Sequence, residues 1–465
     1  MARTWSGIGV RVVSLVGSSA VCVALASGGV SGDGGVERVE LDNGMEVLLM
    51  PVEGVNLVGV ESVYGMGFWD EPAGGVQASH LCEHLACVGA TEGFEARESY
   101  EHFGQVGMVN AETLGSLTHY DAVVPSEELE TVLKVEAGRL VSLDFDADLI
   151  RFEGVRCAGE VESVMNAPMG ALGKFAVMAA VQAWGSGATK ISLRGGPSKM
   201  DPAVLRGLYA ARYTPTGATL AIVGGFDVET VRAMLEETLG GVDKREPLAR
   251  TPIDWSKVPE RSEASWDVSR TVVVMAAEPL ASGPEAAVVA GLMMMKGWAA
   301  DDADLSKLAS FGLGAPIFWG VGTRDGGGMG PMLVATLALG ADEQELIEAM
   351  HGRFDTVIDS ASAMMGQTVM GVSMFANPET VPVPTEGMIE EAGKQMGWDK
   401  ALATQMMIGN TALQLALRGH LAHEIGGGLD ELDAGQLSEQ MGELLGRAHR
   451  RVLVLRPMDV AVGQE

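Results

Sequence analysis

The sequence predicts an α+β protein built from two similar α/β-sandwich halves joined by a linker. Three observations carry that prediction. Apolar, β-branched runs alternate with helical patterns, but hairpin turns interrupt the alternation, which argues against a doubly wound parallel sheet. Residues 243–268 lose apolar periodicity and are dominated by Lys, Arg, Glu, Pro and Ser. Beyond that stretch the order of elements resembles the order before it, as an internal duplication would. The predicted division is a leader at 1–26, an N-terminal domain at 36–245, a linker at 246–268 and a C-terminal domain at 269–465.

Residues 36–52 read as two strands turning at Asp42-Asn43-Gly44, a string suited to positive φ. Residues 55–66 form a further strand. Helical apolar spacing covers 126–143, with Ser126 placed as its N-cap. Asp201-Pro202 supplies a cap and an N1 proline for a helix reaching Arg212. A strand at 219–223 follows, and Asp227 caps the next helix. In the second half, strands are expected at 271–276 and 332–339, with helices at 284–295 and 342–360.

The 465 residues are 47% hydrophobic and 20% charged, enough apolar material for large cores and unlike a disordered chain. The formal net charge of −30 leaves no broad basic surface for a phosphate backbone, so nucleic acid is not an expected partner. Arg3 and Arg11 precede an apolar run at 12–25, followed by Ala24-Leu25-Ala26. That is the pattern of a secretory signal peptide cleaved after Ala26, with a retained anchor as the alternative. The expected location is therefore periplasmic or secreted, without stable membrane insertion once the signal is removed. Cys82, Cys87 and Cys157 remain, an odd count without framework spacing, and they read as small buried hydrophobes.

Residues 80–84 read His80-Leu81-Cys82-Glu83-His84, an H-x-x-E-H string on a helix expected from Gln77 to Val88. At 3.6 residues per turn the two histidines lie about 40° apart, so both imidazoles reach one ion. Catalytic zinc takes three protein ligands and keeps an open position. The third is sought on the helical segment 149–164, where Glu153 and Glu160 are seven residues apart and face the same way. Glu160 is taken as the third ligand and Glu153 as the carboxylate that orients the site. Cys87 and Cys157 share faces with His84 and Glu160; they pack beside such an ion, and with a complete His₂Glu set they are not expected to ligate it.

With these strings in view, the region resembles the pitrilysin/insulinase family of zinc metallopeptidases, which includes the mitochondrial processing peptidase. The family pattern is the inverted H-x-x-E-H string and then a glutamate about 75 residues on; here 75 residues lie between His84 and Glu160. Gly67-Phe68-Trp69-Asp70-Glu71-Pro72, Gly89-Ala90-Thr91, Asn110-Ala111-Glu112-Thr113 and Tyr213-Thr214-Pro215 also fall where such proteins have similar strings. The resemblance is strong over 36–245 and fainter but collinear over 269–460. It implies one Zn²⁺ per chain on His80, His84 and Glu160, with Glu83 as general base toward the zinc water. It also implies peptide substrates held as an added strand near Asn110 and Ala111.

One departure stands out. Active relatives draw an Arg and a Tyr, seven residues apart, from the second half of the chamber. Here the matching places hold Leu308 and Ala315, and all five tyrosines (Tyr64, Tyr100, Tyr120, Tyr209 and Tyr213) lie in the first half. The resemblance then implies a heterodimer, in which this chain carries zinc and a paralogous partner brings the Arg/Tyr pair. The alternative is a non-catalytic structural or chaperone-like subunit of the same fold. His119 and Tyr120 either line the cleft or pack in the core, and His420 with His423 lacks an evident third ligand.

Overall fold

A six-stranded sheet anchors the first half. The computed structural model describes residues 35–165, 172–268, 270–278, 283–297, 305–314 and 330–458; the leader at 1–26 lies outside them. The first strands are β1 (Glu37–Glu40), β2 (Glu46–Pro51), β3 (Leu57–Tyr64), β4 (Met108–Thr113) and β5 (Thr118–Pro125). Gly44 closes the β1–β2 hairpin at φ +82°, the conformation expected of the Asp-Asn-Gly string. A two-residue strand, β6 (Lys190–Ile191), precedes β7 (Ala218–Gly224). The order is β1-β2-β7-β3-β5-β4, which puts β4 at an edge.

The helices of this part are α1 (Ala78–Val88), α2 (Glu98–Val106), α3 (Leu129–Val141), α4 (Ala147–Met165), α5 (Leu172–Ser186), α6 (Pro202–Arg212) and α7 (Val228–Thr238). All but α5 pack on one face of the sheet, burying Leu81, Leu85, Leu133, Tyr209 and Leu235 against Val47, Leu49 and Val60. Asp201 and Asp227 cap α6 and α7 through the amides of Ala203 and Thr230, as expected. Ser126 does not cap α3. The chain first makes a 3₁₀ turn over Ser126–Glu128, and the Ser126 hydroxyl is left buried with no partner among the described residues.

The second sheet contains β8 (Arg261–Trp266), β9 (Val272–Ala277), β10 (Ala309–Gly314), β11 (Met332–Leu337) and β12 (Arg450–Pro457), and it recruits β6 from the first half. β8 lies inside the stretch read as linker. Its burial alternates, with Ala264 and Trp266 inward and Arg261 and Glu263 in solvent, so its polar face masked its apolar one. The remaining helices are α8 (Pro284–Gly297), α9 (Leu305–Leu308), α10 (Glu343–Phe375), α11 (Glu386–Met396), α12 (Lys400–Ile425) and α13 (Ala434–Leu444). α10 runs well past the Ser360 end expected for it.

The two halves exchange helices. α12 crosses from the second half to cover the free face of the first sheet, where Ile408, Ala412, Leu415 and Ala416 meet Leu48, Met50, Val63 and Val223. Small residues permit the close approach: a methyl on Gly59 would meet Ile408 at 3.1 Å, and one on Gly419 would meet Leu48 at 2.6 Å. In return α5, buried from Phe175 to Val181, packs under the second sheet against Val272, Val274, Val334 and Leu453. Among the described residues no helix is long and apolar enough to cross a membrane.

Candidate metal centre

α1 begins at Gln77, whose backbone is left-handed at φ +66°. That strain is held from several sides. The Gln77 amide donates to Glu71 Oε2 at 3.1 Å, and its side-chain amide donates to the Leu193 carbonyl. Its Oε1 lies 3.0 Å from His80 Nδ1, so the ring donates there and turns its Nε2 lone pair outward. One turn later His84 repeats the device. Its Nδ1 donates to Glu153 Oε2 at 3.1 Å, and its Nε2 also faces out. The two rings stand 4.9 Å apart and nearly perpendicular.

α4 supplies the opposing wall. Asp146 caps it, accepting from the amides of Asp148 and Leu149. Glu153, Cys157 and Glu160 then fall on one face, four and three residues apart. Glu160 Oε2 stands 3.4 Å from His80 Nε2 and 3.2 Å from His84 Nε2. Glu153 is fully buried and fixed by Arg97 and Arg156, each at 3.0 Å. Arg97 also has positive φ, at +72°. Among the described residues Gln77 and Arg97 are the two non-glycine residues with positive φ; Gln77 is the partner of His80, and Arg97 holds the partner of His84.

The converging groups act on one another. Burial opposes charge on His80, yet Cys157 and Glu160 outweigh it and hold the ring at about 9. Burial also opposes charge on His84, which Cys157, Glu153 and Glu160 raise well above the usual value. Burial would raise Glu160 and Cys157, but the two rings hold both below their ordinary ranges. A thiol and a carboxylate thus face the outer nitrogens of two rings across one gap. A dication satisfies that arrangement, and His₂ with a carboxylate is a donor set that suits zinc.

Glu83 is buried beside these groups. Its Oε2 accepts from the Thr113 hydroxyl at 2.6 Å, so the end of edge strand β4 fixes the carboxylate. Asn110 and Ala111 lie on the same strand, which among the described residues pairs with β5 alone. Their place is on the edge strand whose end carries Thr113, the partner of Glu83. His119 lies on the other face of the sheet, buried, its Nδ1 2.7 Å from Glu61 Oε1, and is apart from the converging groups. His420 is buried on α12 and burial lowers its ring to about 4, a neutral core histidine.

Spacing named His80, Glu83, His84, Glu153 and Glu160, which the structure brings together, and did not name the residues that hold them. Thr113 was visible only as part of a string. Arg97 and Gln77 act through backbone conformations that no pattern announces. Replacing Glu153 with Gln removes the charge beside His84 Nδ1, and if the centre takes a divalent metal, affinity for it is expected to fall about 10–100-fold by equilibrium competition with a chelator.

A family model described as Peptidase M16 inactive domain matches residues 199–278. That span holds none of His80, Glu83, His84 or Glu160, so its description bears on the fold alone. An uncharacterized zinc protease of Mycobacterium leprae is 26% identical over 208 residues, covering 44% of this chain and 46% of that protein. The match therefore spans less than half of that relative. A protease from Helicobacter pylori has the same fold, with a TM-score of 0.57 at 15% identity over 91% of this chain and 99% of that one. Pitrilysin aligns with a TM-score of 0.53 at 14% identity, covering 90% of this chain and 44% of its own. Together these findings show a sequence likeness to peptidase M16 proteins over part of the chain and the same fold as pitrilysin-like proteases over most of it. The two sheets with their helices correspond to the two halves of that fold.

Proposed function

We propose that the chain is a zinc-dependent endopeptidase acting on peptides or unstructured segments outside the cytoplasm. The observation that carries this reading is the convergence of His80 Nε2, His84 Nε2 and Glu160 Oε2 beside the buried Glu83. The zinc in the relative's name and the leader pattern at 1–26 support it further. Zinc held by His80, His84 and Glu160 supplies Lewis acidity, bringing the ionisation of water toward neutral pH and polarising a carbonyl.

The chain's own groups do the rest. Glu83 keeps one oxygen on Thr113 and offers the other to a water proton, which it later passes to the leaving amine. Glu153, with Arg97 and Arg156, holds His84 in the tautomer that faces the ion. The free edge of β4, through Asn110 and Ala111, pairs a substrate backbone as an additional strand, so selection depends little on side chains.

A paralogous subunit completes the site by supplying an Arg and a Tyr. The resemblance sets Leu308, at the end of α9, against the Arg and Ala315 against the Tyr; Ala315 lies outside the described residues. The test is cleavage of a quenched fluorescent peptide by the purified mature chain, alone and with such a subunit. Cleavage only in the mixture is expected. Cleavage by the chain alone discards the partner, and none in either state favours the structural-subunit reading.

A further inference from the structure

The site holds one donor more than a His₂Glu centre requires. Cys157 is fully buried on α4, between Glu153 one turn before and Glu160 one turn after. A ring nitrogen of His80, one of His84 and the Cys157 sulfur all lie within 4.8 Å of one another. The other described cysteines behave differently. Cys82, on the opposite flank of α1, directs its thiol to the Leu205 carbonyl at 3.9 Å, and Cys87 is packed against the apolar core. A small apolar side chain would fill the Cys157 position as well as a thiol does. What the thiol adds is a soft donor aimed at two imidazoles.

We propose that Cys157 is itself a ligand of the metal, so that His80, His84, Cys157 and Glu160 form an N₂SO donor set. This rests on the zinc reading above. The donors arrive from two sides: Cys157 from the interior, Glu160 from the half-exposed rim, where its side chain retains 49% of its accessible surface. Two imidazoles, a thiolate and a carboxylate suit tetrahedral zinc, and sulfur biases the site against harder ions such as Mg²⁺. On binding, the S–H bond breaks, a sulfur–metal bond forms, and the proton leaves to solvent. The solvent side, where Glu160 stands, is then where a fifth ligand is added.

Two spectroscopic readouts test this without reference to turnover. The full mature chain loaded with Co²⁺ is expected to show a thiolate-to-cobalt charge-transfer band in the near ultraviolet. That band disappears in Cys157→Ser, while the visible ligand-field bands persist and circular dichroism is unchanged. Zinc-edge X-ray absorption of the unmutated chain is expected to show a sulfur neighbour at about 2.3 Å. Zinc binding by Cys157→Ser is expected to weaken at least about tenfold. Only nitrogen and oxygen neighbours, with identical cobalt spectra for the two proteins, would overturn the thiolate assignment and leave the zinc reading standing. Unchanged cobalt binding by His84→Ala would instead remove the metal site on which both rest.

Discussion

Glu83→Gln is expected to bind zinc as tightly as the parent chain and to cleave peptides about 10²–10⁴-fold more slowly. The substitution preserves volume and still accepts the Thr113 hydroxyl at the end of β4, so α1 and the two imidazoles stay in place. Glu83 contacts neither ring in the hydrogen-bond pattern of the site; His80 leans on Gln77 and His84 on Glu153. What is lost is a carboxylate able to take a proton from water, which an amide does not replace. Metal content and single-turnover cleavage, measured on the same preparation, separate these effects. An unchanged rate would remove Glu83 from the role, and lost zinc would make it a structural prop.

The second large effect falls on stability, at Asp70. This carboxylate is 2% exposed and receives Arg212 Nε at 2.7 Å and Arg250 Nε at 2.7 Å. It also accepts the Gly67 amide at 2.8 Å. Both guanidinium groups are themselves buried. Asp70→Ala leaves two buried cations facing the gap, and removing one member of such a pair costs about 3–5 kcal/mol. Urea unfolding is expected to show a lower midpoint with an unchanged slope. Asp148, whose pair with Arg151 is largely exposed, is the control; Asp148→Ala is expected to stay within about 0.5 kcal/mol. Equal effects at the two positions would contradict the account of the buried cluster.

Local rules carried the sequence reading where chemistry and spacing act within one element. Asp201 and Asp227 announce helix starts because a short carboxylate satisfies amides two or three residues on. His80 with His84, and Glu153 with Glu160, fall on single faces because helical periodicity is rigid over one or two turns. What escaped depends on partners distant in sequence. The apolar α5 and the small-residue face of α12 show that each is buried, but not which sheet buries it; the exchange follows from the shapes of both halves. β8 escaped because half of its residues are polar and face water. Ser126 has the chemistry of a cap, yet the chain spends one 3₁₀ turn before the α-helix begins. Cys157 was read as packing beside the ion because a His₂Glu set looked sufficient, and the depth at which the thiol meets both rings emerges only when α4 lies against α1.

The most direct test of the proposed zinc centre is the metal content of the mature chain, by inductively coupled plasma mass spectrometry, beside that of His84→Ala. The proposed centre predicts one zinc per chain in the first and essentially none in a folded sample of the second. A folded parent chain without zinc, or a His84→Ala protein that keeps it, would contradict it.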